Sequence, residues 1–292
     1  MGGRGTKSEA ALRVRFWGVR GSHPAPGEHT VHFGGNSSCV EIEAEGQTLA
    51  FDAGTGIIGL GRILMQRDAK REIHIFLSHM HHDHIEGLRY FEPVYSNSWR
   101  CHLYGPGSTA GTIERTLRRS MDARVFPVAL SELPARLSIR TLEKRETIRP
   151  RGSRGLVVRA QFSKSHPKVG VMLYRIEHQG RTVVYATDVE APKGGHEDVV
   201  EFARGADILI HDSQYTDHEY FEAQRSKAGW GHSTVRMAAE IAREAGVGRL
   251  LMYHHDPSHD DAEVRGLESL AQSIFPKSQA AFEGLEIKLS GR

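Results

Sequence analysis

The sequence is poor in cysteine and contains no long apolar segment. Only Cys39 and Cys101 occur among its 292 residues, too few for the disulfide framework of many secreted proteins, so we expect a cytoplasmic protein. No apolar run approaches the roughly 18 residues that a membrane-spanning helix needs. The first residues also lack the charged-then-apolar pattern of a secretory signal. We therefore expect no membrane segment.

An excess of charge of one sign is also missing. The 38 basic and 36 acidic residues leave a formal net charge of +2, so no overall field draws the protein to nucleic acid or to a membrane surface. Any basic binding surface must therefore be local. The length allows a large hydrophobic core, and we predict a flexible tail over residues 1–10 followed by a single domain over residues 11–292.

Histidine, by contrast, is abundant, and four of the 18 histidines lie in the run His79-Met80-His81-His82-Asp83-His84. The apolar residues 73–78 before this run predict a buried strand, so the histidines lie where a strand ends and a loop begins. Imidazole is the most common metal ligand at neutral pH. The spacing H-x-H-x-D-H therefore predicts a metal site, provided that distant residues complete it; the alternative is an accidental surface cluster.

Side chains of the kinds that bind metals follow three further predicted strands. They are His166 after residues 156–162, Asp188 after residues 182–186 and His254 after residues 249–253. A lone histidine at a strand end is usually structural, but the repetition of the pattern favours one shared site. His255 is an alternative to His254 as the last histidine of this site.

The motif and the strand-end residues together resemble the metallo-β-lactamase-fold hydrolases, and more closely their tRNase Z-like phosphodiesterase branch. The resemblance implies an α/β fold, an αββα sandwich of two mixed β-sheets flanked by helices. It also implies two divalent cations; zinc fits the ligand types, and manganese or iron also bind such groups. By resemblance, one cation is held by His79, His81 and His166, the other by Asp83, His84 and His254, and Asp188 bridges them. Asp83 would also orient the attacking water or accept its proton.

Two segments of the last third favour a phosphodiester substrate. Residues 231–234 resemble the G-H-S-T segment of tRNase Z enzymes, in which the histidine, here His232, faces the scissile phosphate. Residues 210–214 resemble their H-E-A-T segment, with Asp212 in the place of the glutamate. An imidazolium held by a carboxylate can neutralise phosphate charge and protonate a departing alkoxide. The alternative for His232 is that it caps the following helix together with Ser233.

Asp52, which ends an earlier predicted strand, also has two interpretations. It resembles the strand-end aspartate of the family and could orient a metal-binding histidine. It could equally cap the helix that we predict from Ile57 onward. The sequence does not decide between these roles.

Two departures from tRNase Z enzymes weaken the case for RNA as substrate. The segment between His166 and Asp188 is too short for the long arm with which those enzymes grip tRNA. Residues 255–261 are acidic and rich in histidine where those enzymes have an S-x-R-Y-like segment. A small phosphodiester such as a cyclic nucleotide needs no arm, and the aromatic residues of segment 215–230 either stack on its base or pack in the interior.

We therefore expect a dinuclear metal-dependent hydrolase, in the first place a phosphodiesterase acting on a small phosphodiester. The alternatives are an RNase Z-like ribonuclease acting on RNA 3′ ends, a lactonase or thioesterase, and a metal-binding sensor without turnover. Members of the family are often homodimers, which the sequence neither supports nor denies.

Overall fold

The computed structural model describes residues 11–67, 70–107, 112–192, 194 and 196–292. The predicted tail over residues 1–10 lies outside this part of the chain. The first sheet contains β1 Leu12–Gly18, β2 Cys39–Ala44, β3 Gln47–Phe51, β4 Glu72–Phe76, β5 Arg100–Pro106, β6 Arg136–Leu142 and β14 Glu286–Leu289. The second sheet contains β7 Arg145–Ile148, β8 Val157–Ser163, β9 Val171–His178, β10 Arg181–Ala186, β11 Ile208–Asp212, β12 Leu250–Tyr253 and β13 Ser278–Ala280.

Each sheet is antiparallel on one side and parallel on the other. The first has the order β14-β1-β2-β3-β4-β5-β6 and becomes parallel from the β3–β4 pair onward. The second has the order β7-β8-β9-β10-β11-β12-β13 and becomes parallel from the β10–β11 pair onward. Because the carboxyl ends of parallel neighbours meet at one edge of a sheet, the loops that follow β3 and β4 lie side by side. The same holds for the loops after β10, β11 and β12.

Five of the six α-helices of the described chain cover the outer face of a sheet, and the short α4 does not. The helices are α1 Gly56–Gln66, α2 Ile113–Ser120, α3 Glu197–Ala203, α4 Asp217–Phe221, α5 Val235–Glu244 and α6 Asp261–Ile274. Apolar residues of α1 and α2 pack on the first sheet, and those of α3, α5 and α6 pack on the second. The inner faces of the two sheets form one core between them. This confirms the αββα sandwich that the resemblance implied.

Buried tyrosines tie the two sheets together. The hydroxyl of Tyr174 on β9 donates to the carbonyl of Leu77 at 2.6 Å, and that of Tyr253 on β12 donates to the carbonyl of Gly18 at 2.8 Å. Each bond contributes roughly 0.5–1.5 kcal/mol net, and each ring also buries apolar area. The bonds cross from one sheet to the other close to the loops after β4 and β12, so they fix the relative position of those loops.

The segment after the histidine run differs from what its sequence predicts. The pattern of residues 85–91 predicts the start of a helix, but the chain forms two short 3-10 helices, Glu86–Tyr90 and Glu92–Tyr95. The backbone N–H of Gly87 donates to the carbonyl of Ala53 at 2.9 Å, and a Cβ on Gly87 would lie 2.0 Å from the carbonyl oxygen of Gly54. This close approach pins the chain to the loop after β3 and prevents a regular α-helix.

Two predicted helices have shorter bounds than expected. The helix predicted for residues 57–71 ends at Gln66, because Arg67 has an extended backbone. The sequence also predicts a helix around residues 109–121, after the glycine and proline residues at 105–107. It corresponds to α2, and residues 109–111 lie outside the described chain. The predicted strands before His79, His166, Asp188 and His254 are all present.

The two cysteines, Cys39 and Cys101, are buried free thiols. Burial raises the pKa of both thiols, that of Cys101 to about 12, so neither is a reactive thiolate at neutral pH. Among the described residues, no helix combines the length and the apolar character needed to cross a bilayer.

Candidate metal centre and active site

The seven predicted metal ligands converge at the edge where the loops of both sheets meet. One group contains His79, His81, His166 and Asp188, and the other contains Asp83, His84 and His254. Within each group, the ligand-type atoms lie within 4.8 Å of one another. The strand ends that the sequence placed far apart therefore lie around one point in space.

Asp188 lies between the two groups. Its Oδ1 is 3.2 Å from Nε2 of His84 and 3.1 Å from Nε2 of His254. Its Oδ2 is 3.5 Å from Nε2 of His79. The carboxylate thus faces imidazoles of both groups, which is the position expected for a bridging ligand.

Hydrogen bonds on the outer nitrogen of the imidazoles leave the inner nitrogen unprotonated. The Nδ1 atoms of four histidines face acceptors: His79 faces Ser78 Oγ at 3.1 Å, His84 faces Asp52 Oδ2 at 2.8 Å, His166 faces the Gly231 carbonyl at 3.1 Å and His254 faces Gln214 Oε1 at 3.0 Å. Since Nδ1 donates in each case, Nε2 carries a lone pair in the neutral ring. Nε2 of His84 and Nε2 of His254 lie 3.3 Å apart, a separation at which both nitrogens can bind one shared cation.

A further observation indicates that these ligand atoms suit divalent cations. Nε2 of His79 is buried and has no hydrogen-bond partner, a cost that a cation would remove. Burial lowers the pKa of His79, His81 and His166. These imidazoles are therefore neutral near pH 7, which is the form that binds a metal.

His84 experiences the opposite electrostatic effect. Burial alone would lower its pKa, but the carboxylates of Asp188, Asp83 and Asp52 raise it well above the usual value. The negative potential that holds a proton on His84 is the same potential that attracts a cation. The centre therefore combines neutral imidazoles on one side with a strongly negative region on the other.

Three residues at the strand ends have left-handed backbone conformations. The φ angles are 61° at Asp52, 52° at Asp188 and 63° at His254. Such a conformation is unusual for residues other than glycine, costs about 1–3 kcal/mol and persists only where the surrounding structure imposes it. The three residues face the candidate centre or one of its histidines, so this strain is concentrated there.

Asp52 orients His84 and does not cap a helix. Its carboxylate accepts from His84 Nδ1, from the Ser78 backbone N–H at 2.7 Å, from Ser78 Oγ at 2.8 Å and from the Tyr185 hydroxyl at 2.8 Å. Thr55, not Asp52, precedes α1. Of the two interpretations that the sequence left open, the geometry favours the orienting role.

Asp83 is buried and fixed beside His84 and His254. The backbone N–H of Ser22 donates to its Oδ2 at 2.9 Å. The same oxygen lies 3.1 Å from Nε2 of His84 and 3.3 Å from Nε2 of His254. The carboxylate therefore faces both imidazoles of its group.

His232 and Asp212 form a pair beside the centre. Nδ1 of His232 donates to Oδ2 of Asp212 at 2.7 Å, and Oδ1 of Asp212 accepts from the backbone N–H of Ser233 at 3.0 Å. Burial opposes a charge on His232, but the Asp212 carboxylate outweighs it and raises the pKa to about 9. The imidazole is therefore a cation near pH 7.

The alternative role of His232 as a helix cap does not hold. The side chain of Thr234 caps α5 by accepting from the backbone N–H of Met237 at 3.3 Å. The ring of His232 lies 5.0 Å from that of His254 and 5.7 Å from that of His166, measured between centroids. His232 thus lies next to both ligand groups.

The structure also distinguishes the two neighbouring histidines after β12. His255 points away from the centre, since its Nε2 donates to the carbonyl of Ala281 at 2.9 Å and its ring packs against Phe33. Burial lowers the pKa of His255 to about 3. His255 is a structural residue, and His254 is the one that faces the cluster.

Sequence analysis missed the residues that support the centre through hydrogen bonds. Gln214 accepts from His254, and Ser78 links His79 to Asp52. Glu190 accepts from the backbone N–H groups of Gly229 and Gly231 at 2.6 and 2.8 Å. The position of Ser78 directly before His79 was the only sequence signal, because the other contacts join residues that are distant in the chain.

The aromatic residues of segment 215–230 divide between the two interpretations given above. Tyr215 and Tyr220 are buried, whereas Phe221 and Trp230 expose 67% and 58% of their surface. Nζ of Lys227 lies 4.2 Å from the centre of the Trp230 ring. Packing therefore explains the tyrosines but not Trp230.

Comparisons with known proteins agree with this fold. A family model described as a beta-lactamase superfamily domain matches residues 47–255. Ribonuclease Z of Gemmatimonas aurantiaca is 30% identical, and the alignment covers 96% of each chain. The crystal structure of the short form of human tRNase Z has a TM-score of 0.62 at 20% identity, with 95% of this chain and 99% of that chain covered. Yeast PDE1 has a TM-score of 0.69 at 12% identity, with 96% and 100% covered.

Proposed function

The chain belongs to the beta-lactamase superfamily and is a metal-dependent hydrolase, and from this premise we propose that it is a phosphodiesterase acting on RNA, in the manner of ribonuclease Z. The observation that carries the phosphodiester assignment is the buried His232–Asp212 pair beside the ligand groups. The choice of RNA is supported by the 30% identity to a ribonuclease Z along nearly the whole chain. This reverses the order expected from the sequence, in which a small phosphodiester came first.

We assign the cations to the two ligand groups described above. His79, His81 and His166 would hold one, Asp83, His84 and His254 the other, and Asp188 would contact both. Two such ions, most simply Zn²⁺, would lower the pKa of a water molecule and would stabilise charge on a phosphoryl oxygen.

The remaining steps rest on side chains of this protein. Asp83, fixed by the Ser22 N–H, orients the attacking water or accepts its proton. His232, protonated near pH 7, approaches the scissile phosphate with Nε2 while Asp212 holds Nδ1. It stabilises the phosphate charge and donates its proton to the departing oxygen. Asp212 keeps the imidazole correctly turned and favours its charged form until the proton is transferred.

A small phosphodiester is the second candidate, and one structural feature favours it. The connection between β8 and β9 spans only residues 164–170. No arm extends from this position, although the resemblance places the tRNA-gripping arm between His166 and Asp188. A substrate that fits inside the opening needs no such arm.

An activity assay of the zinc-loaded protein on four substrates distinguishes these functions. We expect cleavage of an RNA with a 3′ extension and of bis(p-nitrophenyl) phosphate. Turnover of cyclic AMP with intact RNA would support the small phosphodiester instead. Lactone hydrolysis with both types of diester inert would contradict the phosphodiesterase assignment as a whole.

We propose that Trp230 binds a base of the substrate. It lies two positions before His232, is largely exposed, and its neighbours Gly229 and Gly231 are held by the Glu190 carboxylate. Stacking of a base on an aromatic side chain contributes about 1–3 kcal/mol. Trp230→Ala should therefore raise KM roughly 5- to 150-fold for thymidine 5′-p-nitrophenyl phosphate, with kcat nearly unchanged.

The matched controls for this prediction are one substrate and one variant. Methyl p-nitrophenyl phosphate has no base, so its KM should not respond to Trp230→Ala. Phe221→Ala removes another exposed aromatic side chain of the same segment and should leave KM unchanged for both substrates. An equal rise of KM for the two substrates in Trp230→Ala would rule out base stacking.

A further inference from the structure

We propose that Glu72, His74 and His102 form a separate site for a single transition-metal cation at the opposite end of β4. Glu72 is the first and His74 the third residue of this five-residue strand, whereas His79 follows its carboxyl end. An extended chain rises about 3.3 Å per residue, so His74 and His79 are separated by roughly 16 Å along the strand. The proposed site therefore shares no ligand with the centre described above.

The three side chains converge because they lie on one face of two adjacent parallel strands. His74 on β4 is paired in register with His102 on β5, and their rings stack at 4.7 Å between centroids. Nε2 of His102 lies 2.9 Å from Oε1 of Glu72. One ligand-type atom from each of the three residues lies within 4.8 Å of the other two. Strands hold such side chains more rigidly than loops do.

His74 provides the independent evidence for a ligand. Only 2% of its surface is exposed, and its Nε2 is buried without any hydrogen-bond partner. The hydroxyl of Tyr104, 3.2 Å from Nδ1, orients the ring. A buried nitrogen left without a partner costs roughly 1–3 kcal/mol, and a cation would satisfy it. Burial also lowers the pKa of His74 to about 4, so the ring is neutral at physiological pH.

The types of ligand indicate which cations suit this site, and the exposure of His102 shows how a cation can reach it. Two imidazoles and one carboxylate suit zinc, nickel, copper or iron, whereas magnesium and calcium prefer sets of oxygen ligands. The His102 side chain is 24% exposed and opens the site to solvent. Lys70, 44% exposed, pairs with Glu72 and can turn outward when a cation binds. The alternative is the ion-pair description, in which Lys70 and His102 both pair with Glu72 and no cation binds.

The experiment counts zinc ions per chain. The full-length protein is stripped with a chelator, equilibrated with Zn²⁺ by dialysis and analysed for metal. We expect His102→Gln and Glu72→Gln each to hold one equivalent less than the unaltered protein, with phosphodiester hydrolysis unchanged. Because the measurement is a difference, it does not depend on how many ions the centre between the sheets binds.

His196→Gln is the matched control. His196 also pairs with a carboxylate, that of Glu244 at 3.1 Å, but it belongs to none of the metal-type clusters among the described residues. This variant should keep the full zinc content. Thermal unfolding of each variant checks that the fold is intact, and Glu72→Gln preserves the side-chain shape. If both Glu72→Gln and His102→Gln retain all the zinc, the ion-pair description is correct and the proposal is wrong.

Discussion

Replacing Asp188 by asparagine is expected to lower kcat/KM for bis(p-nitrophenyl) phosphate by about 10³-fold or more and to reduce the zinc content of the protein. Asparagine has nearly the same shape and tolerates the φ of 52° at this position. The variant should therefore keep its backbone. What it loses is the charge that faces His84, His254 and His79 within 3.5 Å. Several kcal/mol of electrostatic stabilisation depend on this charge, and each 1.36 kcal/mol corresponds to roughly a tenfold change in rate.

Asp217→Asn is the control for Asp188→Asn. Asp217 carries the same functional group but lies at the surface, where it accepts from Arg236 Nε at 2.6 Å. An exposed ion pair contributes about 0–1 kcal/mol to stability, so neither the rate nor the zinc content should change. If Asp188→Asn keeps both the zinc and the rate, Asp188 does not bridge two cations.

The second large effect is expected for His232→Ala, and its size should depend on the leaving group. With an RNA substrate, the departing ribose oxygen needs a proton, so the rate should fall roughly 10²- to 10⁴-fold, the usual range for general acid catalysis. With bis(p-nitrophenyl) phosphate, the phenolate leaves readily without a proton, and the fall should be much smaller. Zinc content should stay unchanged, because His232 belongs to neither ligand group in our assignment.

Asp212→Asn tests the His232–Asp212 pair by removing the charge of its carboxylate. Without the carboxylate that accepts from Nδ1 at 2.7 Å, His232 loses its charge near pH 7, so the dependence on leaving group should resemble that of His232→Ala. His29→Ala, at an exposed histidine, should have no effect.

Equal losses on both substrates in His232→Ala would indicate a disturbed site and would argue against proton donation.

The sequence predicted those parts of the site that depend on local pattern. The histidines directly follow the apolar run that forms β4. Strand periodicity and residue type were therefore enough to place His79 to His84 at a strand end. The same pattern located His166, Asp188 and His254. Asp188 and His254 converge because they follow parallel strands whose carboxyl ends lie together. His166 joins them although β8 pairs antiparallel with β7 and β9, so the convergence is a property of the whole fold and not of any single segment.

Features that depend on contacts between distant residues could not be predicted. The helix expected from Ile85 fails because Gly87 is bound to the loop after β3. The choice between His254 and His255 is made by Gln214 and Ala281, which lie far from them in the sequence. The roles of Asp52 depend on Tyr185 from the opposite sheet. In each case the deciding partner comes from another part of the chain.

The order in which the metal-type residues occur along the chain has a consequence for biosynthesis. His79 to His84 leave the ribosome first, and His254, which lies on the loop after β12, emerges last of the set. The strand β12 inserts between β11 and β13 in the second sheet. A nascent chain that has not yet placed this strand presents an open, anionic cluster with Asp83 and Asp188 but without His254. Under the proposed assignment, the second ligand group is complete only after the late part of the protein has folded.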